Sequence, residues 1–120
     1  MSTPSQVVLV ENNPRFGVAS AEEFGEIRVL RNPNSPSPFQ TKWCIEEFRT
    51  RLLEISFDPS RDFVLLTGGA NVVPLMIAVI IAEYGTAKVL LFDSARKRYF
   101  ERELHTDELH ADAKKEPNTR

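Results

Sequence analysis

The chain has 120 residues, which suits one compact domain, and its 15 Lys and Arg against 17 Asp and Glu leave a formal net charge of −2. Such a balance gives no reason to expect a protein that binds nucleic acid through its bulk charge. One cysteine excludes an internal disulfide and favours a reducing, cytoplasmic compartment. The longest apolar run, residues 72–82, falls short of the roughly 20 residues that span a membrane, and no signal peptide is visible.

The N-terminal part of the chain predicts two strands. Residues 7–10 form a short β-branched run, and the polar cluster at 11–14 ends it. Residues 26–31 alternate imperfectly, which indicates a half-exposed second strand, and residues 15–25 between them predict a loop or a short helical turn. Residues 32–38 contain three prolines and predict a loop.

A first helix is predicted to begin after Thr41, which we expect to be its N-cap. Trp43 and Cys44 lie beside the apolar face and are expected to pack there. Glu47 and Arg51 are spaced as an i,i+4 ion pair on the other side. The apolar face itself follows three-and-four spacing and consists of Ile45, Phe48, Leu52 and Ile55.

The C-terminal half predicts a strand, helix, strand unit. Residues 63–67 and 89–92 are continuously apolar, which is typical of parallel strands covered on both faces, so Leu66→Asp is expected to unfold the protein. The helix between them ends at Gly85, a residue suited to the left-handed conformation. Residues 99–104 predict an antiparallel edge strand paired with the strand before it.

These elements predict an α/β fold, a small Rossmann-like domain with a mostly parallel central sheet of four or five strands and flanking helices. The first, third and fourth strands are expected at the centre of the sheet, with the second and last at its edges. Residues 1–105 are predicted to be the single domain, and residues 106–120 a polar, flexible tail.

The candidate ligand site lies where the parallel strands end, because ligands of open α/β sheets bind beyond the carboxyl ends of the strands. Two of the five glycines are adjacent at a strand-to-helix turn, where backbone N–H groups can face an anion. A phosphate or a nucleotide is the ligand that such a turn predicts. The candidate residues are Glu11, Asn12, Thr67, Gly68, Gly69, Asn71, Asp93 and Arg96.

Pro74 bears on how the helix after this turn begins. A proline fits the first helical turn, so the cap is expected at Asn71, with Pro74 at the third helical position. The alternative is a purely structural turn, because the chain has neither the GxGxxG motif nor the lysine of a phosphate-binding loop.

Other constellations indicate catalysis only weakly. Glu11 and Asp93 could hold a magnesium ion as a small phosphoester hydrolase would, but no second acid follows Asp93 closely. His105 and His110 are spaced wrongly for one helix face, so no metal or cofactor is expected. The basic residues 96–98, beside two aromatic residues, are typical of either a solvated turn or a small nucleic-acid contact.

The helix at residues 72–82 is apolar on all sides, so part of its surface needs a second cover. A homodimer through this helix would supply it, and so would close packing within one chain.

Two resemblances add to this reading. Residues 57–68, which read Phe-Asp-Pro-Ser-Arg-Asp-Phe-Val-Leu-Leu-Thr-Gly, together with the strands that begin at Val8 and Val89, resemble a group of short uncharacterised tailed-bacteriophage proteins. That resemblance implies a viral protein in the host cytoplasm and implies no activity. Residues 66–69 entering a helix are similar to the strand-loop-helix of CARF domains, which are Rossmann-like dimers that sense cyclic oligoadenylates.

The sequence therefore favours a non-enzymatic binding protein, since no convincing set of base, nucleophile and metal ligands can be assembled. Its partner is expected to be a nucleotide at the glycine turn. The alternatives are a host or viral protein bound without a small ligand, and the metal-dependent hydrolase.

Overall fold

The computed structural model describes residues 4–11, 18–69 and 71–106, in which five strands form one sheet. The strands are β1 (Gln6–Leu9), β2 (Glu26–Val29), β3 (Phe63–Leu65), β4 (Thr86–Asp93) and β5 (Arg98–His105). Their order is β2-β1-β3-β4-β5, with β5 antiparallel to β4 and every other pair parallel. The predicted centre and edges of a mostly parallel sheet are confirmed.

Both α-helices pack on the same face of the sheet. α1 (Thr41–Glu54) and α2 (Val73–Tyr84) share a buried cluster with alternate residues of the strands, Val8, Val64 and Val89 among them. The opposite face carries a 3-10 helix, Val18–Phe24, in the part that was predicted as a loop or helical turn. The mixed α/β class is confirmed, and a Rossmann-like fold stays a prediction, because in the described residues no α-helix covers that second face.

The start of α1 differs from the prediction. Thr41 is the first helical residue, and Gln40 occupies the capping position without a side-chain hydrogen bond to the helix. Cys44 is buried as expected, but Trp43 is 59% exposed and does not pack on the core. The expected Glu47–Arg51 pair is wrong as well, because Arg51 faces Glu54 and Glu47 faces a residue far away in sequence.

The start of α2 is shifted by one residue from the predicted position. Val72 occupies the capping position, so Pro74 is the second helical residue and Asn71 lies outside the helix. The N–H groups of Val72 and Val73 both donate to the carbonyl of Gly69 at 3.0 Å, which closes the turn without a side-chain cap. Gly85 ends the helix with φ 79°, and this prediction is confirmed.

The third strand is shorter than its apolar run. β3 ends at Leu65, and Leu66 is 40% exposed just beyond it, so the expectation that Leu66 is buried on a central strand is wrong. At the other end of the sheet, Thr106 donates from both its N–H and its hydroxyl to the carbonyl of Gly85. Thr106 therefore packs with the domain, whereas the rest of the predicted tail, including His110, lies outside the described residues.

The segment from Phe57 to Phe63, which carries the phage resemblance, has a structural role. Asp62 is fully buried between this loop and β1, and its carboxylate receives the backbone N–H and the side-chain amide of Gln6 at 3.0 and 3.1 Å. Arg61 donates to both carboxylate oxygens at 2.7 Å, and the N–H of Asp58 adds a further bond at 2.8 Å. The loop thereby fixes where β3 begins beside β1.

Candidate functional site

The predicted site lies at the point where the order of the strands reverses. β1 and β3 are neighbours, and the chain leaves them in opposite directions, toward β2 and toward β4. A crevice at such a switch point is where doubly wound sheets bind ligands. Glu11, directly after β1, and the turn Gly68–Gly69, after β3, meet there, so the structure brings together the two central parts of the predicted site.

The carboxylate of Glu11 occupies the place that we predicted for a bound anion. Its Oε1 accepts the N–H of Gly69 at 3.0 Å, and its Oε2 lies 3.3 Å from Nε of Arg31. Both oxygens therefore have partners within the chain. An external phosphate at this turn would first have to displace Glu11.

Arg31 is the residue of this site that sequence reasoning missed. Its side chain is only 8% exposed, and it also faces Oε1 of Glu47 at 3.6 Å and donates to the carbonyl of Pro36 at 2.6 Å. Its remaining contact is the sulfur of Cys44 at 3.4 Å. The signal was available: Arg31 lies two residues beyond the end of β2, and β2 is parallel to β1, so both strands end at the same edge.

Together these contacts make one ionic cluster, defined here as Glu11, Arg31 and Glu47, in which Arg31 and Glu47 are largely buried and the Glu11 side chain is 38% exposed. One guanidinium is shared by two carboxylates from β1 and α1, so the cluster joins the glycine turn to the helix layer. Glu47 is further held by the hydroxyl of Ser35. Oε1 of Glu47 has no hydrogen-bond partner among the described residues, but both oxygens of Glu11 are engaged, so the cluster leaves little of the turn open to a ligand.

The two glycines of the turn differ in how closely other atoms approach them. Gly68 has φ 144°, and a Cβ there would lie 3.2 Å from Cβ of Val10, so its close approach is to β1. A Cβ on Gly69 would meet nothing nearer than Oε1 of Glu11 at 3.6 Å, an ordinary contact. Packing of the turn against β1 accounts for Gly68 without a ligand.

Thr67 lines a separate, shallow concavity of about 170 Å³ at the same edge of the sheet. Its hydroxyl is buried and has no hydrogen-bond partner among the described residues. The ring of Tyr99 stacks edge-on against Phe92 at 5.1 Å in this concavity, and burial raises the pKa of Tyr99. The other lining residues are apolar: Leu65, Leu66, Leu90 and Leu91.

The remaining predicted site residues do not join the crevice. Asp93 accepts the N–H groups of Ala95 and Arg96 at 3.0 and 3.2 Å, and Arg96 lies 3.8 Å from its other oxygen, so both residues build the β4–β5 turn. Two strand spacings, about 10 Å, separate β4 from β1, so Glu11 and Asp93 do not form a pair. Asn71 is exposed beside the turn, and Asn12 lies outside the described residues.

Neither a metal centre nor a membrane segment emerges in residues 4–11, 18–69 and 71–106. No group of three or more His, Cys, Asp or Glu side chains there is arranged to hold a metal ion. Within the same ranges, no helix combines the length and the apolar character that crossing a membrane requires.

The outer face of α1, opposite its buried side, exposes two large aromatic side chains. Phe39 is 81% exposed just before the helix, and Trp43 is 59% exposed four residues later. Trp43 borders a groove of about 420 Å³ that also contains Glu46, Thr50 and Glu54. Trp43, Glu46, Thr50 and Glu54 follow three- and four-residue spacing on α1, so they line one side of the helix, whereas Phe39 precedes the helix.

Comparisons with known proteins give one family. A family model described as Phage Pam3 gp32-like protein matches residues 4–106, a range that contains every described residue. No curated protein and no solved structure matches, so the resemblance to CARF domains receives no support.

Proposed function

The chain belongs to the Phage Pam3 gp32-like protein family, and we propose that it is a non-enzymatic phage protein that docks on another protein through the outer face of α1. The observation that carries the proposal is the exposure of Trp43 on that helix and of Phe39 just before it. Aromatic side chains of this size dominate the binding energy of protein interfaces, where they fill pockets on the partner. While Phe39 and Trp43 are exposed to water, their side chains contribute nothing to the packing of the core.

The charges beside the aromatic side chains define the chemistry of the partner. Glu46 is exposed next to Trp43, and Glu54 lies further along the groove with Arg51 at 3.5 Å. The lining of the groove is therefore acidic on balance. We infer a protein partner that offers an apolar pocket for the indole and at least one basic side chain for Glu46.

A photocrosslinking experiment tests this proposal in cells where the encoding phage replicates. The photoreactive residue benzoylphenylalanine replaces Trp43 in one variant and Glu23, on the opposite sheet face, in the control. We expect a defined crosslinked protein from position 43 alone, and its loss when Glu46→Lys is added. Equal crosslinking from both positions would contradict the proposal, and a product of about 27 kDa, twice the 13.6 kDa chain, would identify a second copy as the partner.

Once the partner is identified, the aromatic contribution can be measured directly. Trp43→Ala should weaken binding by about 30-fold, the loss expected for a hot-spot residue of about 2 kcal/mol. Leu53→Ala removes an exposed apolar side chain from the same helix and serves as the matched control. The thermal midpoint of both variants should stay close to that of the unmodified chain, because neither side chain packs in the core.

Anion binding at the glycine turn is the second candidate function. The observation that favours it is that the N–H of Gly69 already donates a hydrogen bond to an anionic group, the carboxylate of Glu11. Glu11→Ala would free this N–H and Nε of Arg31, so inorganic phosphate or a mononucleotide should raise the melting temperature of Glu11→Ala more than that of the unmodified chain. The same small response in both proteins would leave the turn with a structural role only.

A further inference from the structure

The side chains of β5 differ in charge between the two faces of the sheet. The register with β4 pairs Asp93 with Arg98, Leu91 with Phe100 and Val89 with Arg102. These three β5 residues therefore share the face that carries α1 and α2. The alternate residues on the other face include Glu101 and Glu103.

The face with Arg98 and Arg102 has a marked excess of positive charge. Arg96 and Lys97 extend it into the β4–β5 turn, and all four cationic residues are exposed. Asp93 lies 3.8 Å from Arg96, and it is the acidic neighbour that the register gives to Arg98 as well. Four cations against one carboxylate leave this small surface strongly positive, although the whole chain is slightly acidic.

Phe100 lies between the two arginines of this face. Its ring is 42% exposed, and the guanidinium of Arg102 stands 5.9 Å from the ring centroid. An exposed aromatic ring flanked by cations is the arrangement that binds a nucleic-acid base by stacking and its phosphates by charge. Alternate residues on a strand are roughly 6.8 Å apart, so the cations and the ring form a linear array along the sheet edge.

We propose that this array, the basic stripe made of Arg96, Lys97, Arg98, Phe100 and Arg102, binds single-stranded nucleic acid. A single strand is favoured over a duplex because Phe100 needs the open face of a base, and bases in a duplex are stacked on each other. The stripe is on β5 and its turn, not on α1, so the inference goes beyond the proposed protein docking. β3 and β4 are parallel, so the positive N-terminal end of α2, which follows β3, lies at the same edge of the sheet as the β4–β5 turn.

Fluorescence anisotropy of the full chain with labelled oligothymidine and oligouridine tests the inference. Binding should weaken with salt with a log–log slope of about −2, as expected for three phosphate contacts to a single strand. Arg98→Ala with Arg102→Ala should weaken binding by at least about tenfold, and Phe100→Ala by about tenfold. Phe100→Tyr should keep the affinity, because it retains a ring that can stack.

The control, Glu101→Ala with Glu103→Ala, also removes two charged side chains from β5, but from the opposite face and of the opposite sign. This variant should bind as well as the unmodified chain or more tightly. Circular dichroism melts of each variant show that folding is unchanged, and a variant that does not fold is replaced by Arg98→Gln or Arg102→Gln. The inference is overturned by any of three results: no binding at 50 mM salt and about 100 μM protein, equal affinity for a blunt duplex of the same length, or equal affinity for labelled polyglutamate.

Discussion

Asp62 shows how a single residue can anchor two distant parts of the chain. Five hydrogen bonds from Gln6, Asp58 and Arg61 reach its buried carboxylate. Burial alone would raise the pKa of Asp62, but the hydrogen bonds from Arg61, Asp58 and Gln6 outweigh it and lower the pKa below its usual value. The residue is therefore an ionised structural link between the loop before β3 and the start of β1.

Asp62→Asn should lower the free energy of unfolding by about 3 kcal/mol, because the amide breaks the ion pair with Arg61 and turns an NH₂ group toward other donors. Urea denaturation measures the change, with the exposed Glu54→Gln as control. The native pKa lies below the unfolded value of about 3.9, so the contribution of Asp62 is complete above that pH and is lost as the pH falls through the native pKa. The stability of Asp62→Asn should consequently depend less on pH below about pH 4 than that of the unmodified chain, and equal pH profiles would contradict this.

At the scale of secondary structure, apolar patterning predicted most elements, and the errors lie in the helix starts, the end of β3 and one long-range contact. The runs that became β1, β4 and β5 and the apolar face of α1 follow local periodicity. Glu47 was expected to pair along its own helix, but it faces Arg31, two residues beyond β2, a contact that local spacing cannot indicate. The candidate site was only half predictable for the same reason. The sequence predicted that the strand ends meet, but it did not predict the ionic cluster that lies between them.

Leu65 is the last residue of β3, and its neighbour Leu66 is the first residue of the loop that follows. Leu65 is buried among Val7, Leu9 and Leu90, so Leu65→Asp should abolish folding, since an unpaired carboxylate in that cluster has no water. Leu66→Asp should instead cost about 1 kcal/mol, because Leu66 lies beyond the strand and is largely in contact with solvent. Soluble yield and circular dichroism melts distinguish the two, and loss of folding in both would mean that Leu66 is packed after all.

For the molecule as a whole, we predict that the fold needs no residue beyond Thr106. A chain that ends after Thr106 should melt within about 5 °C of the full chain, whereas ending it at His105 should cost roughly a further 1–2 kcal/mol. The reason is that Thr106 donates two hydrogen bonds to the carbonyl of Gly85. A large loss of stability on removing residues 107–120 alone would show that they contribute to the fold.

Self-association through α2 stays a prediction, and the structure changes which residues would mediate it. The large apolar side chains of α2 are buried or half-buried, and its exposed apolar residues are small: Pro74, Ala78 and Ala82. A two-fold contact would bring this strip against its own copy, so Ala78→Glu should convert a dimer of about 27 kDa into a 13.6 kDa monomer. Light scattering at micromolar concentration measures both, and a monomeric mass for the unmodified chain would exclude the dimer.

The central position of β1 has a consequence for how the chain is made. Gln6 leaves the ribosome early, but its partner Asp62 is 56 residues later, a stretch that takes about 3–11 s to synthesise at 5–20 residues per second. During that interval β1 has no β3 to pair with. The β4–β5 hairpin, by contrast, joins strands that are adjacent in sequence and closes within about 10 μs of being formed. A nascent chain stalled before β3 should therefore be protease-sensitive. Its β-branched segment β1 lacks the partner strand β3, which only the second half of translation supplies.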